Sequence, residues 1–395
     1  MPARIACLDL DTFFVSVERL LNPALIGRPV VVGGERGARG VVTSASYEVR
    51  ALGVRSGMPM AEAVRLAPDA VFVPTRHDTY SPYARRVREV LERHCPVVQT
   101  ASIDEFFLDF HGTERLFGRP GEDGDATTLR VVRQMREAVQ REIGLPASVG
   151  VGTTRAIAKM GSGRAKPAGV VMVPEGQERA FVEDLPVRKF PGIGPVAEAR
   201  LLEAGLTTLG RLLASHHPLA ERVREGIAGS RPLGPDRPAF QEHDREGDTA
   251  GSLSNERTFM ADVGQPLVAE EALRALAERV AWRARQRAVR ARTISLKLRY
   301  ADFESLTRAR SGPPTSEETH IYAMAKELLH EAWSRRARIR LVGLQLSNLE
   351  GPDRQLLLPF VAGRPTAARA IDAVRERFGY DAIRLGTVAH NRRST

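Results

Sequence analysis

Three acidic side chains stand where predicted strands end, and together they suggest phosphoryl chemistry. Residues 97–110, VVQTASIDEFFLDF, contain two apolar runs of strand length that break at Asp104 and Glu105, which predicts a β-hairpin with two carboxylates at its apex. Asp9 ends a similar strand near the N-terminus. If these strands are neighbours in one sheet, the acids form an all-oxygen site for two Mg²⁺ ions, which would clamp the attacking and leaving oxygens of an in-line displacement. A solvated turn is the alternative for the acidic pair alone.

A second group of residues could receive the phosphates of a nucleotide. Asp11 is predicted to cap a helix over residues 12–21, whose first amides would face the acidic sheet edge. Ser44, Tyr47 and Arg50 are spaced by three, so on a helix they would share one face. Two hydroxyls and a guanidinium on that face could hold phosphate oxygens, although an ordinary polar helix face would look the same.

The composition indicates a multidomain globular protein with a polyanionic partner. The chain has 395 residues, of which 43% are hydrophobic, and no apolar run is long enough to cross a bilayer. No signal peptide precedes the first strand, so we expect a cytoplasmic protein. Cys7 and Cys95 are isolated and are predicted core residues, which excludes a Cys-based zinc site. The net charge of +10, carried mostly by arginine, suits a polyanion.

A Gly-rich turn in the second half of the chain predicts a contact with a phosphate backbone. Residues 190–197, FPGIGPVA, open a helix, and residues 201–213 continue with apolar helical spacing around Gly205. Gly192 and Gly194 would let the turn and the following helix N-terminus present amides to a phosphate without reading sequence. A purely structural turn is the alternative.

Residues 252–350 are predicted to form a separate α+β region. Their order is strand, helix, two strands, helix, strand. In the strand over residues 293–300, Lys297 and Arg299 alternate with leucines, which places a basic face opposite an apolar face. Residues 366–378 are predicted to form an amphipathic helix of unknown role.

Three motifs in one order carry a specific family resemblance. They are CLDLDTFFVSVE (7–18), TSASYEVRALGVRSGMP (43–59) and ASIDEFFLD (101–109). Together they resemble the Y-family translesion DNA polymerases, most closely the DNA polymerase IV branch. The resemblance implies a template-directed DNA polymerase of low fidelity and without proofreading, which acts as a monomer in translesion synthesis and DNA repair. Gly33 and Gly34 would line a base pocket that admits damaged templates.

The resemblance also assigns roles to single residues. Asp9 and Asp104 would be metal ligands, Leu10 would add its backbone carbonyl, and Glu105 would complete the site and assist catalysis, with Mn²⁺ able to replace Mg²⁺. Phe14 matches the steric gate, a ring that excludes a 2′-hydroxyl from the incoming sugar. Residues of three segments would bind the nucleotide: Thr12, Phe13, Phe14, Ser44, Tyr47, Arg50 and Lys166.

The implied fold is an α+β multidomain right hand with a palm, small fingers, a helix-hairpin-helix thumb and a C-terminal little finger. The predicted bounds are 1–10 and 76–165 for the palm, 11–75 for the fingers, 166–238 for the thumb, 239–251 for a linker, 252–350 for the little finger and 351–395 for a tail.

The implied partners are primed template DNA and deoxyribonucleoside triphosphates, with no membrane partner. DNA contacts are expected from Gly192, Gly194, Lys297 and Arg299. Residues 355–360, QLLLPF, resemble the bacterial peptide that docks in the sliding clamp. Its predicted anchors are Gln355, Leu356, Leu358 and Phe360.

Three other functions are compatible with parts of the sequence. The first is a non-catalytic DNA-binding relative that acts as a scaffold for a mutagenic repair complex, but loss of a carboxylate would signal it and all three are present. A nucleotidyl cyclase could carry a similar metal pair, yet it would leave the Gly-rich turn and the C-terminal region without a purpose. A nucleoid protein would need only the charge.

Overall fold

The protein divides into two compact units, Met1–Arg245 (unit 1) and Glu246–Thr395 (unit 2). A computed structural model describes residues 4–37, 39–228, 251–351 and 367–383, with Glu114 and Arg369 described by their backbone only. The finer domain bounds and the predicted linker remain predictions, since residues 239–250 lie outside the described ranges. Within those ranges, no helix has the length and apolar character needed to span a membrane.

Unit 1 contains eight strands and eleven α-helices in its described part. Its strands are β1 (Ile5–Leu10), β2 (Val30–Gly33), β3 (Ser44–Ala45), β4 (Val71–Pro74), β5 (Val97–Thr100), β6 (Glu105–Asp109), β7 (Ala147–Gly152) and β8 (Val170–Met172). Its α-helices are α1 (Phe13–Leu21), α2 (Tyr47–Ala51), α3 (Met60–Leu66), α4 (His77–Glu92), α5 (Glu114–Phe117), α6 (Gly124–Ile143), α7 (Arg155–Arg164), α8 (Glu178–Val182), α9 (Pro195–Glu203), α10 (Leu209–Ala214) and α11 (Pro218–Ala228).

A five-stranded sheet in the order β5-β6-β1-β7-β8 forms the centre of unit 1. The predicted hairpin over residues 97–110 is confirmed, because β5 pairs antiparallel with β6 from Val97 opposite Asp109 to Thr100 opposite Phe106. The strand β1 lies between β6 and β7 and is antiparallel to both. The strand that ends at Asp9 is therefore a neighbour of the acidic hairpin.

Alternation along β1 separates two cores. Ala6, Leu8 and Leu10 pack into a large cluster with residues of α1, α4 and α6, whereas Ile5 and Cys7 pack on the other face with residues that include Ala158 of α7. Successive side chains of a strand point to opposite faces, so Asp9 shares the face of Ile5 and Cys7. The prediction that Cys7 and Cys95 are core residues is confirmed, since both are free and buried.

The prediction that Asp11 caps the first helix is wrong. The helix α1 begins at Phe13, and its N-cap is Thr12, which has a left-handed backbone (φ 45°) and makes no side-chain cap hydrogen bond. Asp11 instead turns its carboxylate into the protein and is 1% exposed. Local sequence predicted a cap because aspartate is common there, but partners distant in sequence compete for this carboxylate.

The helical spacing proposed for Ser44, Tyr47 and Arg50 is also wrong at its first member. Ser44 belongs to β3, which pairs with β2 in a three-stranded sheet of order β3-β2-β4. Only Tyr47 and Arg50 lie on α2. The chain changes from strand to helix at Ser46, so the three residues do not share a helix face.

The region after β8 is a small helical cluster. The predicted apolar helical spacing over residues 201–213 belongs to two helices, α9 and α10, which are separated by a turn at Gly205 with a φ of 72°. Leu201, Leu209 and Leu212 are fully buried in a core that also contains residues of α8 and α11. The interruption is explained by the left-handed conformation at Gly205, which a glycine adopts without strain.

Unit 2 confirms the predicted order of strand, helix, two strands, helix and strand. Its strands are β9 (Ser252–Val263), β10 (Arg290–Tyr300), β11 (Ser305–Thr315) and β12 (Ile339–Glu350), which form an antiparallel sheet of order β11-β10-β12-β9. Its helices are α12 (Pro266–Gln286), α13 (Glu318–Ala332) and α14 (Ala367–Phe378).

The sheet of unit 2 is apolar on one face only. Leu296 and Leu298 of β10 are buried with residues of α12 and α13, whereas Lys297 and Arg299 between them are partly exposed. The predicted alternation is confirmed. The predicted C-terminal helix is confirmed as well, and Arg375 of α14 forms an ion pair with Glu278 of α12.

Candidate active site

The sheet register brings Asp9 and Glu105 together. Asp9 on β1 is directly opposite Glu105 on β6, and directly opposed residues of an antiparallel pair have Cα atoms about 4.5–5.5 Å apart. The Leu10 amide donates to the Asp104 carbonyl at 2.9 Å, which fixes the turn of the hairpin beside the end of β1. The three predicted acids therefore meet at one sheet margin.

The helix α7 reaches this margin because a glycine lets it lie against the sheet. A Cβ on Gly150 of β7 would overlap the Ala158 carbonyl and the Ser162 amide, so only glycine permits this contact. Thr154 caps the helix by accepting a hydrogen bond from the Ile157 amide at 3.1 Å. The close approach carries Lys159 of α7 over the acidic sheet margin.

Lys159 bridges the paired carboxylates. Its Nζ donates to Asp9 Oδ2 at 2.8 Å and also to Glu105 Oε2, while Lys166 Nζ pairs with Asp9 Oδ1. Burial alone would lower the pKa of Lys159, but Asp9 and Glu105 outweigh burial and raise the pKa above its usual value. The carboxylates of this margin are thus compensated by ammonium groups from two different segments.

Asp104 takes another orientation. Its Oδ1 accepts a hydrogen bond from Ser102 Oγ at 2.5 Å within the hairpin loop. In the described part of the chain, no three His, Cys, Asp or Glu side chains converge as metal ligands would. Asp104 turns to Ser102, and an ammonium group lies between the other two carboxylates.

A polar cleft of about 180 Å³ opens over this margin. Thirteen residues of the described chain line the cleft. Ten of them were predicted as metal-binding or nucleotide-binding residues, and three were not predicted. The predicted ones are Asp9, Leu10, Thr12, Phe13, Phe14, Ser44, Arg50, Asp104, Glu105 and Lys166. The others are Thr43, Ser56 and Lys159. Gly33 and Gly34, which were predicted to line a base pocket, are not among the lining residues of this cleft. A Cβ on Gly33 would meet the Met60 sulfur and the Val41 carbonyl, each at 2.7 Å.

The Phe14 ring is held from behind. It stacks on Tyr80 of α4 with ring centroids 4.3 Å apart and planes 17° apart, and His77 meets it edge-on. The Tyr80 hydroxyl donates to Glu18 at 2.7 Å, and burial with this hydrogen bond raises the pKa of Tyr80 to about 12. Arg76 pairs with the same carboxylate. The ring at the cleft therefore has a fixed orientation.

Tyr47 does not line the cleft itself but packs against Arg50, which does. Its hydroxyl donates to Asp11 at 3.2 Å, and its ring lies under the Arg50 guanidinium, 5.3 Å from the ring centroid. Burial and the neighbouring Asp11 carboxylate raise the pKa of Tyr47. Arg50, which lines the cleft, is also fixed by its Nε donating to the Ala45 carbonyl at 2.9 Å.

The predicted DNA-contacting residues lie in both units. Gly194 is the N-cap of α9, and a Cβ there would meet no atom within 4 Å, whereas Gly192 has a φ of 95°. Lys297 pairs with Glu256 at 2.8 Å, and Arg299 donates to Ser305 Oγ at 2.9 Å. The clamp peptide at residues 355–360 lies outside the described residues, so its anchors Gln355, Leu356, Leu358 and Phe360 remain predictions.

Sequence reasoning missed three residues that shape this site. Lys159 and Tyr80 are not among the predicted site residues, and Asp11 is predicted only as a helix cap. The alternation of β1 could have indicated that Asp9 faces the helix that follows β7. Nothing in the local sequence indicated that Tyr80 stacks on Phe14, because that contact joins distant segments.

Comparison with protein families divides the chain as its structure does. Residues 8–163 match the impB/mucB/samB family, residues 176–206 match the IMS family HHH motif, and residues 250–358 match the impB/mucB/samB family C-terminal domain.

Curated relatives match over nearly the whole chain. A DNA polymerase IV of Dehalococcoides mccartyi is 34% identical over 397 residues, covering 97% of each chain. DNA polymerase IV 2 of Mesorhizobium japonicum is 38% identical over 410 residues, covering 98% of this chain and 94% of the relative.

Solved structures agree on the fold. A chimera of the Y-family DNA polymerases Dbh and Dpo4 aligns with a TM-score of 0.72 at 24% identity, covering 88% of this chain and 99% of that chain. DinB from Sulfolobus solfataricus aligns with a TM-score of 0.53 at 25% identity over the same shares. The predicted α+β right-hand fold, with helix-hairpin-helix and C-terminal domain, is confirmed. The chain belongs to the impB/mucB/samB family of Y-family DNA polymerases, in the branch named DNA polymerase IV.

Proposed function

We propose that the chain extends primed template DNA by two-metal-ion phosphoryl transfer, with low fidelity and without proofreading, in translesion synthesis and DNA repair. As a member of its family it is a DNA-directed DNA polymerase. The observation that carries the finer proposal is the single cleft that Asp9, Asp104, Glu105 and Phe14 line together. In this cleft, carboxylates that could bind cations lie beside an aromatic ring that could contact the sugar of a nucleotide.

The donor set suits divalent cations. Carboxylate and carbonyl oxygens are the ligands that Mg²⁺ and Mn²⁺ prefer, and the Lys159 ammonium already lies between Asp9 and Glu105 as a monovalent stand-in. Asp9, Asp104 and Glu105, with the Leu10 carbonyl, would hold the ions. When bound, they would supply Lewis acidity at the primer hydroxyl and at the nucleotide phosphates.

The chain's own cations would bind the triphosphate. Arg50 and Lys166 both line the cleft, and Ser44 adds a hydroxyl. Fixed positive groups stabilise the charge that develops on a leaving pyrophosphate without reorganising. We assign Thr12, Phe13 and Tyr47 to the same nucleotide site through their positions at the start of α1 and on α2.

Phe14 would select deoxyribonucleotides. Its ring lines the cleft and is backed by Tyr80, so it cannot retreat to admit a 2′-hydroxyl. DNA would be held without sequence readout by the turn at Gly192 and Gly194 and by the basic face of β10. We further propose a sliding clamp as the partner of the peptide at 355–360.

Primer extension tests the proposal. We expect Mg²⁺-dependent, low-processivity extension that continues past damaged template bases. Asp104→Ala should lose about 10²–10³-fold in rate, as for other groups that stabilise transition-state charge. Asp109→Asn, at the far end of β6 from the cleft, should extend normally. Persistent extension by Asp104→Ala would reject the site.

Sugar selection has its own test. We expect Phe14→Ala to incorporate ribonucleotides, because the ring no longer occupies the volume beside C2′. Leu20→Ala, on the exposed side of the same helix, serves as the control. Unchanged sugar discrimination in Phe14→Ala would refute the gate.

A further inference from the structure

Asp11 is a buried acid that the proposed chemistry does not use. Its Oδ1 accepts hydrogen bonds from Ser148 Oγ at 3.0 Å and from the Tyr47 hydroxyl at 3.2 Å. Its Oδ2 accepts from Ser148 Oγ at 2.8 Å and from the Ala168 amide at 2.7 Å. The carboxylate therefore joins β7, α2 and the segment after Lys166, which are far apart in the sequence.

Two of these contacts lead to cations of the cleft. On one side, Asp11 holds the Tyr47 hydroxyl, and the Tyr47 ring packs against the Arg50 guanidinium. On the other side, Asp11 holds the amide of Ala168, two residues after Lys166, at a position with a φ of 53°. Arg50 and Lys166 both line the cleft. One carboxylate thus fixes the spacing between two cationic side chains.

We propose that Asp11 is a positioning residue that sets the distance between Arg50 and Lys166 and so determines affinity for the triphosphate of the incoming nucleotide. The inference rests on the proposed function and adds to it a residue that touches neither nucleotide nor metal. Removing the hydrogen bonds that orient metal ligands typically costs about 10–100-fold in affinity or activity, and we expect a loss of the same order for side chains that bind a triphosphate. Because the binding geometry changes more than the chemical step, the effect appears in KM.

The amide substitution Asp11→Asn is a sharp test. Asparagine keeps the volume and can still accept hydrogen bonds from Tyr47 and Ser148, but its NH₂ group would face the donating Ala168 amide. We expect the KM for deoxyribonucleotides to rise about 10–100-fold with kcat changed much less. The matched control is Asp109→Asn, a buried acid of the same sheet whose Oδ1 accepts from the His111 amide at 2.9 Å. Its KM should match that of the wild type.

A second variant keeps the test decisive if Asp11→Asn does not fold. Ser148→Ala removes the hydroxyl that donates to both carboxylate oxygens of Asp11. Because Ser148 does not line the cleft, a several-fold rise of the same KM in this variant reports on Asp11 and not on a lost contact with the nucleotide. If the wild type and Asp109→Asn are active, an unchanged KM in a folded Asp11→Asn or in Ser148→Ala overturns this inference and leaves the proposed function standing. Wild-type protein that extends no primer overturns the proposed function instead.

Discussion

Two clusters, each of which pairs acidic with basic side chains, differ in their access to solvent. At the sheet margin of unit 1, the side chains of Lys159 and Asp9 are 32% and 12% exposed and line a cleft. In unit 2, the ion pair between Arg375 and Glu278 is only 1% exposed on each side and joins α14 to α12. The residue types are alike, but only the first cluster can exchange its partners with a ligand.

The difference indicates what each cluster does. A sealed ion pair must be satisfied internally, and losing one partner leaves a buried charge. A cluster at a cleft can give up an internal cation for an external one at little cost, which suits a site that binds and releases charged substrates. Stability should therefore depend on the unit 2 pair, and ligand affinity on the unit 1 cluster.

The largest expected effect is in unit 2. Arg375→Ala should lower the free energy of unfolding by about 3–5 kcal/mol, because it leaves Glu278 buried without its guanidinium. Both tryptophans of the chain, Trp282 and Trp333, lie in unit 2, so tryptophan fluorescence during urea unfolding reports on this unit. Substitution of the exposed Arg377 by alanine should change the free energy of unfolding by less than about 0.5 kcal/mol. Similar free energies of unfolding for the two variants would show that the buried ion pair does not stabilise unit 2 more than an exposed arginine does.

A smaller effect is expected where α7 lies on the sheet. Gly150→Ala should destabilise unit 1 by about 1–3 kcal/mol and displace Lys159, since the added Cβ overlaps the backbone of α7. Gly163→Ala on α7 has open space around its Cβ and should be neutral or stabilising by up to about 1 kcal/mol. Calorimetric melting of both variants measures the difference. A Gly150→Ala protein as stable as Gly163→Ala would contradict the close packing.

Removing the bridging cation of the cleft should cost less. In EDTA, we expect Lys159→Ala to lower the free energy of unfolding by about 1–2 kcal/mol. This value lies between the contributions of surface and buried ion pairs. Mn²⁺ should then raise the melting temperature of this variant more than that of the wild type, because the ion neutralises the same carboxylates. The exposed Lys189→Ala serves as the control. Equal stabilisation of all three proteins by Mn²⁺ would be incompatible with an exchangeable cluster.

The smallest effect on stability is expected for the two basic residues on the partly exposed face of β10. Replacing Lys297 and Arg299 by alanine should change stability by less than about 1 kcal/mol but reduce the salt dependence of DNA binding. Each lost phosphate contact lowers the slope of log K against log salt by about 0.9, and fluorescence anisotropy over a KCl series measures it. Lys326→Ala on α13 should leave the slope unchanged. A slope unaffected by the double substitution would rule out this face as a phosphate contact.

Local patterns predicted the parts of the site that are encoded in consecutive residues. The hairpin at Asp104 and Glu105 follows from two β-branched runs and their break, and the strand order of unit 2 follows from alternation. The resemblance then gave Asp9, Phe14 and Lys166 a common place. Asp9 meets Glu105 because strand register leaves little freedom once β1 and β6 are neighbours. Phe14 and Lys166 line the same cleft from α1 and from the segment after α7.

Contacts between distant segments could not be predicted in this way. Asp11 has the sequence context of a helix cap, yet tertiary partners on β7 and after Lys166 hold its carboxylate. Lys159 meets Asp9 only because Gly150 admits α7 to the sheet. The role of the last helix was unknown from its sequence, because the ion pair that seats Arg375 depends on Glu278, about one hundred residues earlier.

If three carboxylates at one sheet margin hold the catalytic cations, the number of bound ions must depend on each of these side chains. Electron paramagnetic resonance should detect two Mn²⁺ ions per chain with primed template and a non-reactive nucleotide analogue. The Asp9→Ala and Asp104→Ala variants should each lose at least one ion, while Asp109→Asn keeps both. Two bound ions in Asp9→Ala and in Asp104→Ala would show that these carboxylates do not hold the cations.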